Sequence, residues 1–113
     1  MIAEIVSLPG YESQVSALLN EDERLAMEFY VACAPDSHPV MPGAGGFRKV
    51  RWARPGEGKS GGLRVIYYFL AEPGRIYMAA IYAKSRMETL SAADRNVLAK
   101  LAAQIKKAAR GGR

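Results

Sequence analysis

Phe47-Arg48-Lys49-Val50-Arg51-Trp52, residues 47–52, is followed by two further runs, Leu63–Ala71 and Arg75–Ala83, and together these decide the fold. Each run is rich in aromatic and β-branched residues and is bounded by glycine or proline, which is the pattern of a strand. A glycine-rich connection, Pro55-Gly56-Glu57-Gly58-Lys59-Ser60-Gly61-Gly62, separates the first two, and a tight Glu72-Pro73-Gly74 turn separates the second from the third. Connections this short join antiparallel neighbours, so the spacing predicts an antiparallel meander.

Working outward toward the N-terminus, Ile2–Ser7 reads as a strand ended by Pro9-Gly10. Tyr11, Val15, Leu18 and Leu19 recur at helical spacing. Asn20 then offers an N-cap, with Glu23 at the third helical position, and so begins a second helix. That helix is expected to bury Leu25, Phe29 and Ala32, with Cys33 as a small core or rim residue, and to stop near Ala34 because Pro35 follows. Ala34–Gly46, with three prolines and three glycines, is a loop. On the C-terminal side Ser91 caps a last helix whose expected apolar stripe is Val97, Leu98, Leu101 and Ile105. The order is β-α-α-β-β-β-α. It defines an α+β fold, a small mostly antiparallel sheet with a helical hairpin and a C-terminal helix, and a length of 113 residues suits a single domain spanning 1–113.

Charge is distributed unevenly along this order. Residues 1–46 carry seven acids and one base, Arg24, whereas residues 47–113 carry fifteen bases and four acids, giving a net +5 overall. A basic half of this density attracts polyanions, of which nucleic acid and the ribosome are the usual ones for a small protein. The acidic helical hairpin is expected to face away from RNA.

Several functions are excluded by inventory. The longest apolar run, Ile76–Ala83, has eight residues, far short of the roughly 18 that span a bilayer, and Met1-Ile2-Ala3-Glu4 lacks the basic start of a secretory signal. One cysteine, Cys33, cannot form an internal disulfide, and one histidine, His38, cannot build a histidine-based metal site. A soluble, cytoplasmic protein without metal, cofactor or membrane contact is expected. Gly56-Glu57-Gly58-Lys59-Ser60 is not a phosphate-binding loop, because Ala53 stands where that motif needs glycine and a strand follows where it needs a helix. Lys59 can still reach a phosphate backbone. His38, in the loop segment Asp36-Ser37-His38-Pro39, reads as an exposed and inert residue, which leaves no histidine dyad for covalent catalysis. Glu57, Glu72, Glu88 and Asp94 are too scattered for a metal nuclease.

A set of bases on the strands remains. Alternation puts Lys49 and Arg51 on one face of the first strand and Val50 and Trp52 on the other, while Arg64 shares a face with Ile66 and Tyr68. Tyr82 and Lys84 share a face at the end of the third strand, with Arg86 beyond. Cations gathered on one surface repel one another unless an anion is bound. Register decides whether these residues gather, and alternation alone does not supply it.

Gly45-Gly46-Phe47-Arg48-Lys49-Val50-Arg51-Trp52, Gly58-Lys59-Ser60-Gly61-Gly62-Leu63-Arg64-Val65-Ile66-Tyr67-Tyr68, Ile81-Tyr82-Ala83-Lys84 and Leu90-Ser91 resemble the HigB-type branch of the RelE toxin superfamily. The resemblance covers residues 40–95 closely and the helical hairpin more loosely. It implies the toxin of a type II toxin–antitoxin pair, a metal-independent endoribonuclease that cleaves mRNA in the ribosomal A site, and a cognate antitoxin of the helix-turn-helix type. It implies the same element order. Such enzymes replace histidines with Lys, Arg and Tyr to deprotonate the 2′-hydroxyl, stabilise the phosphorane and protonate the 5′-oxygen, and a lysine among other cations is shifted toward a usable base.

Carried over residue by residue, Arg64 corresponds to the arginine on the scissile phosphate. Lys49 and Arg51 correspond to the phosphate-binding and base positions, and Lys84 to the second catalytic cation. Arg48, Lys59, Tyr82 and Arg86 complete the expected substrate-binding set. The tyrosine or histidine that often follows the last cation is absent from Lys84-Ser85-Arg86-Met87-Glu88-Thr89-Leu90, so Tyr82, Lys84 and Arg86 are all candidates for the general acid. The competing reading is a catalytically weak or inactive RNA- or antitoxin-binding module of the same fold.

Overall fold

In the computed structural model, residues 3–53, 62–83 and 90–111 are described, and the element order is the one expected from sequence. The elements are β1 (Glu4–Ser7), α1 (Tyr11–Leu18), α2 (Glu21–Cys33), β2 (Arg48–Trp52), β3 (Leu63–Leu70), β4 (Arg75–Ala83) and α3 (Ala92–Gly111). They build a four-stranded sheet in the order β1-β4-β3-β2. β2, β3 and β4 form the antiparallel meander, and β1 adds parallel to β4. β1 ends at Ser7 opposite Met78, and beyond it α1 takes over the strand edge: Gln14 Oε1 accepts from Ile81 N at 3.1 Å.

The sheet has a helix layer on each face. Val50, Leu63, Val65, Tyr67, Ile76, Met78 and Ile81 point to one side and pack with Tyr11, Val15, Met27 and Val31 of the α1–α2 hairpin. Ile66, Tyr68 and Tyr82 point to the other, with Phe47, and pack with Ala102 and Ile105 of α3. α3 lies against the loop before β2 through a glycine. Gly45 has φ +71°, and a Cβ there would meet the Ala99 Cα at 2.8 Å. Any other residue would be strained by conformation and by contact alike.

Both expected helix starts are present. Asn20 accepts from Glu23 N at 2.8 Å while Glu23 Oε1 accepts from Asn20 N at 3.0 Å, a reciprocal cap. Ser91 and Asp94 do the same for α3, at 3.1 and 3.3 Å. The buried faces of these helices correct the expected ones. Leu25 is 67% exposed and Phe29 71%, Ala32 is only half-buried, Cys33 is exposed, and Met27 and Val31 are the buried residues of α2. Arg24, one turn before Met27, and Glu28, next to it, turn α2 this way because they bond across to α1. Arg24 makes a two-pronged contact with Glu12, both distances 2.8 Å, and Nε of Arg24 and the hydroxyl of Tyr11 both donate to Glu28, at 3.0 and 2.6 Å. A polar seam therefore takes part of the interface and the Leu25–Phe29 row faces solvent. In α3, Leu98, Leu101, Ala102 and Ile105 face the sheet, while Val97 is 64% exposed, one residue out of phase with that stripe.

The bonds from Arg24 and from Ser7 hold the Glu12 carboxyl at a pKa of about 2, below its ordinary 4.5. A carboxyl depressed in this way stabilises the folded state fully above its unfolded value, and that contribution is lost as pH falls toward its folded value. Glu12→Gln should therefore lower the melting temperature at pH 7, with the difference from wild type shrinking through the window from about 4.5 to about 2. Thermal melts of both proteins across pH check this; a difference that persists unchanged at pH 2 contradicts it.

Candidate anion-binding site

The strand register brings the expected cations together. Arg51 of β2 lies directly opposite Arg64 of β3, and Arg64 lies opposite Tyr82 of β4, so the three form one row across the sheet on the α3 side. Lys49 stands on the same face opposite Ile66.

Tyr82 reaches this face through an irregularity. Met78 pairs with Tyr67 and Ala80 with Ile66, so Ala79 is an extra residue in β4. Alternation from Ile76 and Met78 would otherwise send Tyr82 into the core under the α1–α2 hairpin. The bulge reverses the strand's faces and delivers Ile81 to the core and Tyr82 to the row.

This row is costly for the fold. Like charges directly opposite each other on neighbouring strands are destabilising. Arg64 is in addition only 9% exposed, and its one described hydrogen bond is a long one, 3.4 Å from Nη1 to the carbonyl of Leu63. No carboxylate pairs with Arg64, Arg51 or Lys49 among the described residues. Beside it the Tyr82 hydroxyl is buried with no partner among the described residues. Burial raises the Tyr82 pKa and the neighbouring Arg64 charge partly offsets that, so the phenol keeps its proton at neutral pH. The row presents charge and a proton donor that no described side chain takes up.

Arg51 and Arg64 of this row line a basin of about 910 Å³, and Tyr82 lies behind its wall, next to Arg64 in register. Lys49, Arg51, Arg64 and Arg95 supply its cations. Arg95, on the first turn of α3, was not among the residues expected from sequence; its Nη1 is steadied by the Leu90 carbonyl at 3.0 Å. Only the packing of α3 against the loop at Gly43–Gly46 brings it there, and nothing local in the sequence signals this. The rest of the described wall is apolar or aromatic: Tyr30, His38, Pro39, Val40, Met41, Pro42, Val50 and Leu90. No acidic residue lines it among those described, and no cluster of three or more His, Cys, Asp or Glu residues suited to a metal ion is found among the described residues.

Arg48 is placed apart from this group. It shares the opposite face with Val50, and its Nη1 donates to the carbonyls of His38 at 2.6 Å and Asp36 at 3.2 Å, which ties the loop to β2. Lys59, Lys84 and Arg86 lie outside the described residues. His38 differs from the exposed loop residue expected. Its Nε2 is buried, and its ring sits 5.3 Å from that of Tyr30 and 6.2 Å, edge-on, from that of Tyr67. Burial and the Arg48 charge lower its pKa, which keeps the imidazole neutral at pH 7. Tyr67 is locked by a 2.6 Å bond to the Pro35 carbonyl, and burial pushes its phenol up to about 12. No helix among the described residues is long and apolar enough to cross a membrane.

A small α+β sheet with this strand order and helices on both faces is the fold of the RelE toxins. A free-state structure of the E. coli toxin RelE, carrying two arginine-to-alanine changes, superposes with a TM-score of 0.55 over 78% of this chain and 90% of that one, at 14% identity. Residues 43–111 match the family described as RelE toxin of the RelE / RelB toxin-antitoxin system, which takes in the basic half from the loop before β2 through α3. The chain belongs to the RelE toxin family. It is a toxin of a toxin–antitoxin pair, with an antitoxin as its partner.

A buried cation such as Arg64, with no carboxylate partner among the described residues, is held against its own desolvation cost, and an apolar side chain of similar size removes that cost. Arg64→Leu should therefore raise the melting temperature, by a few degrees for about 1 kcal/mol in a domain of this size. Calorimetry of the two proteins measures it; a lower melting temperature for Arg64→Leu would show that Arg64 contributes to stability and is not held in reserve for a ligand.

Proposed function

We propose that this protein is a metal-independent endoribonuclease that inhibits translation by cleaving mRNA in the ribosomal A site. On this reading it belongs to the HigB-like branch of its family, acts in the cytoplasm, and is neutralised by an antitoxin of the helix-turn-helix type. The observation that carries the reading is the opposed Arg51–Arg64 pair, with Tyr82 next to Arg64 in register, on a basin whose described walls hold four cations and no acid.

The chemistry follows from the groups in the row. The 2′-oxygen of the RNA attacks the adjacent phosphorus, its proton passing to Lys49, and the bond from phosphorus to the 5′-oxygen breaks to leave a 2′,3′-cyclic phosphate and a free 5′-hydroxyl. Charge accumulates on the non-bridging oxygens in the transition state, where a fixed guanidinium in a low-dielectric wall is most effective. Arg64 supplies it, and its burial means that little reorganisation accompanies the reaction. Arg51 and Arg95 bind the flanking phosphates.

Among the three sequence candidates for the general acid, Tyr82 is favoured. Its hydroxyl stands beside Arg64 in register, keeps its proton, and has no described partner to compete for it. Lys84 is proposed as the second catalytic cation, and Lys59 and Arg86 as contacts to the RNA backbone, on the strength of the resemblance.

Inducible expression of wild type and Arg64→Ala in a bacterial host, with growth and mRNA 5′ ends followed, tests this. Growth arrest with cuts confined to translated frames is expected for wild type and absent for soluble Arg64→Ala, a loss of at least 100-fold in cleavage. No cuts from soluble wild type would instead identify a binding module of the same fold.

A further inference from the structure

The basin has two chemically distinct walls, and the reaction proposed above uses one of them. The other is centred on Tyr30, at the end of α2, and His38, in the loop that follows. Tyr30 is 48% exposed although it lines a recess. Its ring rests on His38 at 5.3 Å with a 44° tilt, and His38 is backed edge-on by Tyr67. Tyr67 is in turn fixed by its bond to Pro35, and the loop carbonyls of Asp36 and His38 are fixed by Arg48. The outermost aromatic face is therefore backed by two further rings, one tilted and one edge-on. His38 is neutral, so this aromatic cluster adds no charge to a basin that is already strongly positive.

An anion such as inorganic phosphate needs only the cationic wall. A nucleotide needs both, because its phosphate seeks the guanidinium groups while its base, if unstacked from its neighbours, seeks an aromatic face. We propose that Tyr30, backed by His38, is a stacking platform for an unpaired nucleobase flanking the scissile phosphate of a single-stranded RNA. This rests on the reading of the basin as an RNA-cleavage site and adds how its substrate is held. Stacking on an aromatic face is tolerant of base identity, so the platform selects for a splayed single strand and leaves sequence preference to other contacts. It also gives the C-terminal end of α2 a place in the site, although the acidic start of that helix lies outside it.

Binding of two uncleavable probes to the isolated full-length protein separates the possibilities: a 2′-O-methyl trinucleotide, and the same sugar–phosphate chain without its flanking bases. Wild type should bind the complete trinucleotide about tenfold more tightly than the abasic one. Tyr30→Ala should lose that advantage while binding the abasic chain as wild type does, and Tyr30→Phe should keep it. Arg64→Ala should weaken both probes alike. Equal wild-type affinity for the two probes, with Arg64 still required, overturns the platform and leaves the cleavage reading standing, as does a preference that Tyr30→Ala retains. If wild type binds neither probe, the platform falls, and the cleavage reading, which is ribosome-dependent, is decided separately by the growth and 5′-end experiment. The wild-type comparison of the two probes decides the matter even if Tyr30→Ala proves unstable.

Discussion

Two arginines facing each other across adjacent strands, one of them nearly buried, set the terms for the rest of this molecule. Arg51 and Arg64 are paired by the β2–β3 register and cannot move apart without breaking it. Their repulsion, and the desolvation of Arg64, must be outweighed by what the sheet buries elsewhere. On the opposite face Val50, Val65, Leu63, Tyr67, Met78 and Ile81 are each 4% exposed or less. Arg51 lies on β2, the edge strand of the sheet, but Arg64 lies on β3, which is central and buried from Leu63 to Tyr68, so the strand that holds Arg64 keeps its geometry against the local cost.

Two backbone devices extend this arrangement into a site. The extra residue Ala79 reverses the faces of β4, so Tyr82 stands beside Arg64 while Ile81 remains in the core. Gly45, by lacking a Cβ, lets the loop before β2 lie against the α3 backbone at Ala99, which brings Arg95 to the basin rim. Neither device carries charge or chemistry of its own. Each changes where a side chain points: one sets the Tyr82 hydroxyl beside Arg64, the other adds Arg95 to the wall of the basin that Arg51 and Arg64 line.

Local patterns made much of this legible in the sequence. The meander, both helix caps and the shared face of Lys49 and Arg51 follow from alternation, glycine and proline positions and short-range hydrogen bonding, and all are present. What escaped depended on contacts distant in sequence. The inward face of α2 carries Arg24 and Glu28, which look like surface residues until their bonds to Glu12 and Tyr11 are seen, so the more apolar Leu25–Phe29 row was the natural but incorrect choice. Arg95 joins Tyr30 and His38 in the basin from 65 and 57 residues further along the chain, by packing that has no periodic signature. Arg48 sits beside Lys49 in sequence yet faces the other way, as alternation requires, and serves the loop.

The central claim is that the Arg51–Arg64–Tyr82 row is where phosphorus reacts. A structure of the protein with a nucleoside vanadate, whose trigonal-bipyramidal centre mimics the phosphorane, tests it most directly. The account predicts vanadium over Arg64, its equatorial oxygens accepting from the Arg64 guanidinium, and an apical oxygen within hydrogen-bond reach of the Tyr82 hydroxyl. Vanadate bound instead along the lysines of α3, with Arg64 unchanged, would contradict it.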